Sequence, residues 1–107
     1  MKGICFIVLP KAFEKFILSC VDEVLSSLGP NVKRVIIFYL LHSNMRFEEV
    51  PQRPEDFSKF LHTIYGDAAT VLEKMIVASM KRKSKIKIES EGFVNAVKEI
   101  KMKWKRF

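Results

Sequence analysis

The feature that most constrains this chain is how it is punctuated. Gly29-Pro30, the pair Pro51 and Pro54, Gly66-Asp67, and Ser90 with Gly92 divide it into segments. Between these points the apolar residues recur at steps of three and four, the period of one helical face. The first segment shows this best: Phe13, Phe16, Ile17, Cys20, Val21, Val24, Leu25 and Leu28 form one broad stripe, predicting a helix over 11–28. Gly29 supplies a left-handed stop and Pro30 prevents continuation. A third helix is expected from Pro54, with Phe57, Phe60, Leu61, Ile64 and Tyr65 inward and Glu55 and Asp56 complementing the dipole of its first turn. Asp67 is the expected cap of a fourth, carrying Ala68, Val71, Leu72, Met75, Ile76 and Ser79 inward and ending at Lys81–Lys83. A fifth runs to the end of the chain, with Phe93, Val97, Ile100 and Trp104 on one face.

The second segment is different. Asn31–Ser43 contains VIIFYLL at 35–41, apolar on every side of a helical wheel. A buried strand competes here, but the spacing of Val32, Val35, Ile36, Tyr39 and Leu40 favours a helix. A helix apolar all round is expected at the centre of a bundle. Asn44–Arg53 should be the longest loop, and Lys85–Glu89 (KIKIE) alternates with period two, so it should be extended. At 107 residues there is room for one core. The expected fold is therefore all-α: a single compact bundle of about five helices over residues 1–107, centred on the second, with a short extended segment before the last.

Charge is unevenly placed. The net charge is +7, yet residues 81–107 alone hold ten Lys/Arg against three Asp/Glu, and the rest of the chain is balanced. A basic segment of this kind suits phosphate backbones, anionic membranes, an acidic protein surface, or simply a solvated helix face. The candidate contact residues for nucleic acid or an acidic partner are Lys81, Arg82, Lys83, Lys85, Lys87, Lys98, Lys101, Lys105 and Arg106. The third and fourth helices joined at Gly66 resemble a helix-turn-helix, but the end that would read bases carries Asp67, Ala68, Ala69 and Thr70. Nucleic-acid binding is thus expected to be non-specific if it occurs.

Residues 1–10 (MKGICFIVLP) form an apolar arm. Its six apolar residues, Ile4–Leu9, are short of a signal-peptide core, so a short buried strand or an apolar flap is expected. No stretch reaches the roughly 18 apolar residues of a membrane span. Ile4, Phe6 and Val8, with Trp104 and Phe107, are candidates for self-association. Two cysteines, Cys5 and Cys20, without CxxC spacing suit neither a disulfide framework nor a zinc site, so a cytoplasmic setting is expected.

Catalytic chemistry has few candidates. His42 and His62 lack a partner at i+4, and the adjacent pairs Asp22–Glu23, Glu48–Glu49 and Glu55–Asp56 diverge by about 100° on a helix. No nucleophile–base constellation, metal site, cofactor or small-molecule ligand is implied.

Leu25–Lys33 (LSSLGPNVK), Glu49–Phe60 (EVPQRPEDFSKF) and Ile64–Val77 (IYGDAATVLEKMIV) resemble a small archaeal all-helical domain, as does the helix entry Glu91-Gly92-Phe93-Val94. That domain occurs alone and as the C-terminal output domain of archaeal sensory and regulatory proteins. The resemblance covers about residues 17–100. It implies an all-helical fold and a non-catalytic interaction or signalling-output role, and it assigns no functional residues. The apolar arm and the strongly basic tail depart from it.

Overall fold

A computed structural model describes residues 11–84 and 87–104 of the chain. They form five α-helices: α1 Lys11–Ser27, α2 Pro30–His42, α3 Pro54–Tyr65, α4 Ala68–Lys83 and α5 Phe93–Trp104. A single 3-10 turn, Phe47–Glu49, lies in the loop between α2 and α3. No strand occurs among the described residues. The fold is the all-α bundle expected from the sequence.

The breaks between helices follow local chemistry. Gly29 and Gly66 adopt φ of 115° and 57°, where a side chain would be strained. The end of α2 is a Schellman turn built on Asn44, whose φ is 62°. Met45 N–H donates to the Leu40 carbonyl at 3.0 Å and Asn44 N–H to that of Leu41 at 3.1 Å. Met45 and Leu40 are both buried, supplying the apolar contact that accompanies this motif. Asp67 is helical and makes no side-chain cap bond, so it does not play the capping role expected of it.

The arrangement of the helices departs from expectation in one respect. The centre is shared by α4, packed against α1, α3 and α5, and α1, packed against α2, α4 and α5. α2 lies at the edge, and its main contacts are α1 and the 3-10 turn. Only Ile36 and Leu40 of α2 are buried. An all-apolar wheel says that every face tolerates burial, but it does not say which face the neighbouring helices cover.

α4 is also rotated from its expected orientation. Its buried set is Ala69, Leu72, Glu73, Ile76, Val77, Ser79 and Met80, while Val71 and Met75 face out. The true stripe runs 69, 72, 73, 76, 77, 80, and the charge of Glu73 disguises it. On α3, Phe57, Phe60 and Leu61 are buried as expected and Ile64 is partly exposed. α5 buries Phe93, Ala96, Val97 and Ile100. Cys20 is fully buried on α1, and that burial pushes its thiol pKa up.

Residues 87–91 are extended or irregular, with Ile88 buried in the core. Two of their backbone N–H groups, those of Glu89 and Ser90, are met by one side chain. Glu99 of α5 accepts from Glu89 N–H at 3.0 Å, Ser90 N–H at 3.0 Å and Ser90 Oγ at 2.7 Å. Lys103 bonds both Glu99 (2.9 Å) and the Lys87 carbonyl (2.7 Å). A segment without a strand partner must satisfy its polar groups somewhere, and here α5 does it.

Candidate interaction surfaces

Among the described residues, the basic segment, a polar cluster between α3 and α4, and the outer face of α2 carry groups that could do chemistry or binding.

Most of the described cations of the basic segment already face carboxylates, at several different seams. Arg82 and Lys83 both pair with Glu23 of α1, Lys83 at 2.7 Å. The Lys83 bond, with Arg82 beside it, holds the Glu23 carboxyl below its ordinary range. Lys81 reaches Glu91 at 3.4 Å, ahead of α5. Lys98 reaches Glu55 at 3.1 Å, at the start of α3. Among the described residues of this segment, Lys87 and Lys101 make no ion pair. These exposed pairs each contribute little to stability, but they lower the net positive field of the segment. The structure therefore ties these cations to α1, to α3 and to the segment before α5. Lys85, Lys105 and Arg106 lie outside the described residues.

Of the self-association candidates, Trp104 is described. It packs edge-on to Phe13, centroids 5.6 Å apart, and tilted on Phe16 at 5.9 Å. Its ring docks the end of α5 onto α1. Ile4, Phe6, Val8 and Phe107 lie outside the described residues, as does the rest of the apolar arm.

Glu73 is a buried carboxylate on α4. Ser58 Oγ donates to its Oε2 at 2.6 Å, and His62 Nε2 lies 3.1 Å from the same oxygen. Ser58 and His62 share a face of α3 one turn apart, which sequence spacing alone could have suggested. Serine, histidine and a carboxylate thus meet, but in the wrong order for nucleophilic catalysis. Both side chains converge on one carboxylate oxygen, whereas a relay needs the serine hydroxyl to donate to the histidine. The arrangement lets a carboxylate sit inside a packed seam. Among the described residues, no group of three His, Cys, Asp or Glu side chains could hold a metal ion.

The outer face of α2 has the reverse character. Val35, Phe38, Tyr39 and Leu41 are 46, 54, 48 and 55% exposed. Val35, Phe38, Tyr39 and His42 follow helical spacing and form a second stripe opposite the buried Ile36 and Leu40. Asn31, Arg34, Val35, Phe38 and Tyr39 line a shallow groove along it. The aromatic rings support one another: Phe38 meets Tyr39 edge-on at 5.5 Å and His42 at 4.3 Å. His42 Nδ1 is also 3.0 Å from the Phe38 carbonyl. Sequence reasoning placed these side chains in the core. The signal that could have relocated them is that α2 is apolar on two sides, of which one is enough to seat it on the bundle.

Among the described residues no helix is long and apolar enough to cross a membrane, so this face is not explained by a membrane span. No protein-family model, curated protein or solved structure matches the chain.

Proposed function

We propose that this protein is a non-catalytic interaction module, of the signalling-output kind that its resemblance to the archaeal helical domain implies, and that it works by presenting the outer face of α2 to a protein partner. The observation that carries this reading is the second apolar stripe. Ile36 and Leu40 already anchor α2 to the bundle. Val35, Phe38, Tyr39 and Leu41 lie outside the described core and stay about half exposed, and exposed apolar surface of this kind marks contact sites. The pairing of Lys81, Arg82, Lys83 and Lys98 with carboxylates supports a protein partner over a phosphate backbone. We place the module in the cytoplasm, which suits a chain with few cysteines and a free buried thiol at Cys20.

The test is affinity capture from native lysate with the whole chain and with Phe38→Glu, each with and without nuclease. The expected result is a protein retained by the wild type after nuclease treatment and lost with Phe38→Glu. Capture that nuclease abolishes, with no dependence on Phe38, would overturn the reading in favour of nucleic-acid binding through the basic segment.

A further inference from the structure

The reading above leaves the occupant of the α2 face open. Resting on that reading, we infer that the occupant is an amphipathic helix with an acidic rim, supplied by a different protein.

Backbone chemistry disfavours strand addition and suits a helix. A peptide bound by strand addition needs a sheet edge, and no strand occurs among the described residues. The main chain of α2 is bonded within its own helix, so it offers no ladder to an incoming strand. A helical partner satisfies its own backbone and brings only side chains to the contact. The groove fits this. Asn31, Arg34, Val35, Phe38 and Tyr39 stand at i, i+3, i+4, i+7 and i+8, so the depression runs along the α2 axis. The 13 residues of α2 span about 20 Å, enough for three to four turns of a helix laid alongside. Phe38 and Tyr39, held ring to ring, are the anchor pair, since aromatic side chains with few rotamers lose little entropy on docking.

Charge selects an acidic rim. α2 carries Lys33 and Arg34 and no carboxylate. Lys33 is neutralised by Asp22 of α1. Arg34 is exposed beside Val35 on the groove wall and, among the described residues, has no ion pair. A carboxylate on the partner would meet it at the edge of the apolar stripe, where such pairs set orientation and rate of encounter. The same charges disfavour a second copy of this chain. Two α2 helices packed face to face would bring no α2 carboxylate to meet Arg34 of the other copy. The +7 net charge adds a long-range repulsion between copies and an attraction for an acidic protein.

The test uses the whole chain as bait for a displayed library of random 16-residue peptides. Enriched peptides are measured by fluorescence anisotropy against the wild type, Phe38→Ser and Arg34→Glu. Both substituted positions are exposed, and circular dichroism confirms that each variant is folded. The expected peptides carry apolar residues at i, i+3 or i+4, and i+7, flanked by Asp or Glu. Their affinity should fall at least about tenfold with Phe38→Ser and about fivefold with Arg34→Glu. Peptides that need Phe38 but lack acidic flanks, or that tolerate Arg34→Glu, would overturn the acidic rim and leave the contact face standing. A dimer seen by light scattering that Phe38→Ser abolishes would overturn the foreign partner in favour of a second copy, again leaving the face standing. A library that yields no Phe38-dependent binder would overturn both the occupant and the face.

Discussion

α2 and α4 invert the usual link between composition and depth. α2 contains a seven-residue run without a polar side chain other than the Tyr39 hydroxyl, and it lies at the edge. α4 carries Glu73, Lys74, Lys81, Arg82 and Lys83, and it lies at the centre. Position along the chain explains the difference better than hydrophobicity does. α4 follows α3 through a tight Gly66-Asp67 corner, precedes α5 and packs against α1, so three helices meet on it. Three of its four cations, Lys81, Arg82 and Lys83, lie in the last turn, where they complement the helix dipole and do not interrupt the buried stripe. α2 is tied to α1 at Gly29 and to the 3-10 turn beyond Asn44, and no other helix of the bundle makes a substantial contact with it. Among the described residues, the bundle buries one apolar side of α2 and leaves the other about half exposed.

The largest effect that would break this contrast belongs to the core of α4. Ile76 is fully buried there. Ile76→Ala should cost about 2–5 kcal/mol, read as a lowered urea midpoint. A loss below about 1 kcal/mol would mean that Ile76 is not packed in the seam where α4 meets its neighbours.

The next effect depends on pH. The core around α4 is closed in part by Ile88, whose segment is held by Glu99. The bond from Lys103, then those from Glu89 N–H and Ser90, hold the Glu99 carboxyl down to about 2, against 4.5 ordinarily. A carboxyl whose pKa is depressed on folding stabilises the native state fully above its unfolded value. That contribution disappears as pH falls from about 4.5 towards 2. Urea midpoints at pH 5 and pH 2.5 should therefore differ more for the wild type than for Glu99→Gln. Equal differences would remove Glu99 from the hold on residues 87–91.

Glu73 gives a smaller effect. Glu73→Ala removes the acceptor shared by Ser58 and His62 and some packing against α3. Ser58 is half-buried and His62 exposed, so both can turn to water. The expected loss is about 1–2 kcal/mol in the same urea measurement. A loss above about 3 kcal/mol would give this pair of polar contacts a larger structural share than their solvent access allows.

These substitutions also mark where the sequence was readable. Helix number and limits were, because Gly29, Pro30, Pro54 and Gly66 act locally, through dihedral limits that no tertiary contact overrides here. The stripes of α1, α3 and α5 were, since each has one apolar side and hence one direction to face. The orientation of α4 was not. Glu73 sits in the stripe and is tolerated only because Ser58 and His62, from another helix, reach it. The place of α2 was not legible either, because periodicity reports a direction only when one side of the wheel is polar. The candidate contact face at Val35, Phe38, Tyr39 and Leu41 was hidden by the same ambiguity: a side chain suited to burial looks identical whether its cover comes from its own chain or another.

The smallest expected effect on stability sharpens the contrast most. Phe38 is among the largest side chains of α2, and 54% of it remains exposed. Its ring contacts, Tyr39 and His42, belong to the same helix, so truncating it opens no cavity between elements. Phe38→Ala also places the better helix former on an exposed helical site, which offsets part of the lost ring contact. The net change should lie within about 0.5 kcal/mol of zero in urea unfolding. The same truncation at Phe57, fully buried on α3 against Phe93, should cost about 3–5 kcal/mol. Two phenylalanines of one small bundle would then differ by several kcal/mol in what they give the fold. If Phe38→Ala instead costs as much as Phe57→Ala, the outer face of α2 is part of the core, and its apolar residues are explained without any partner.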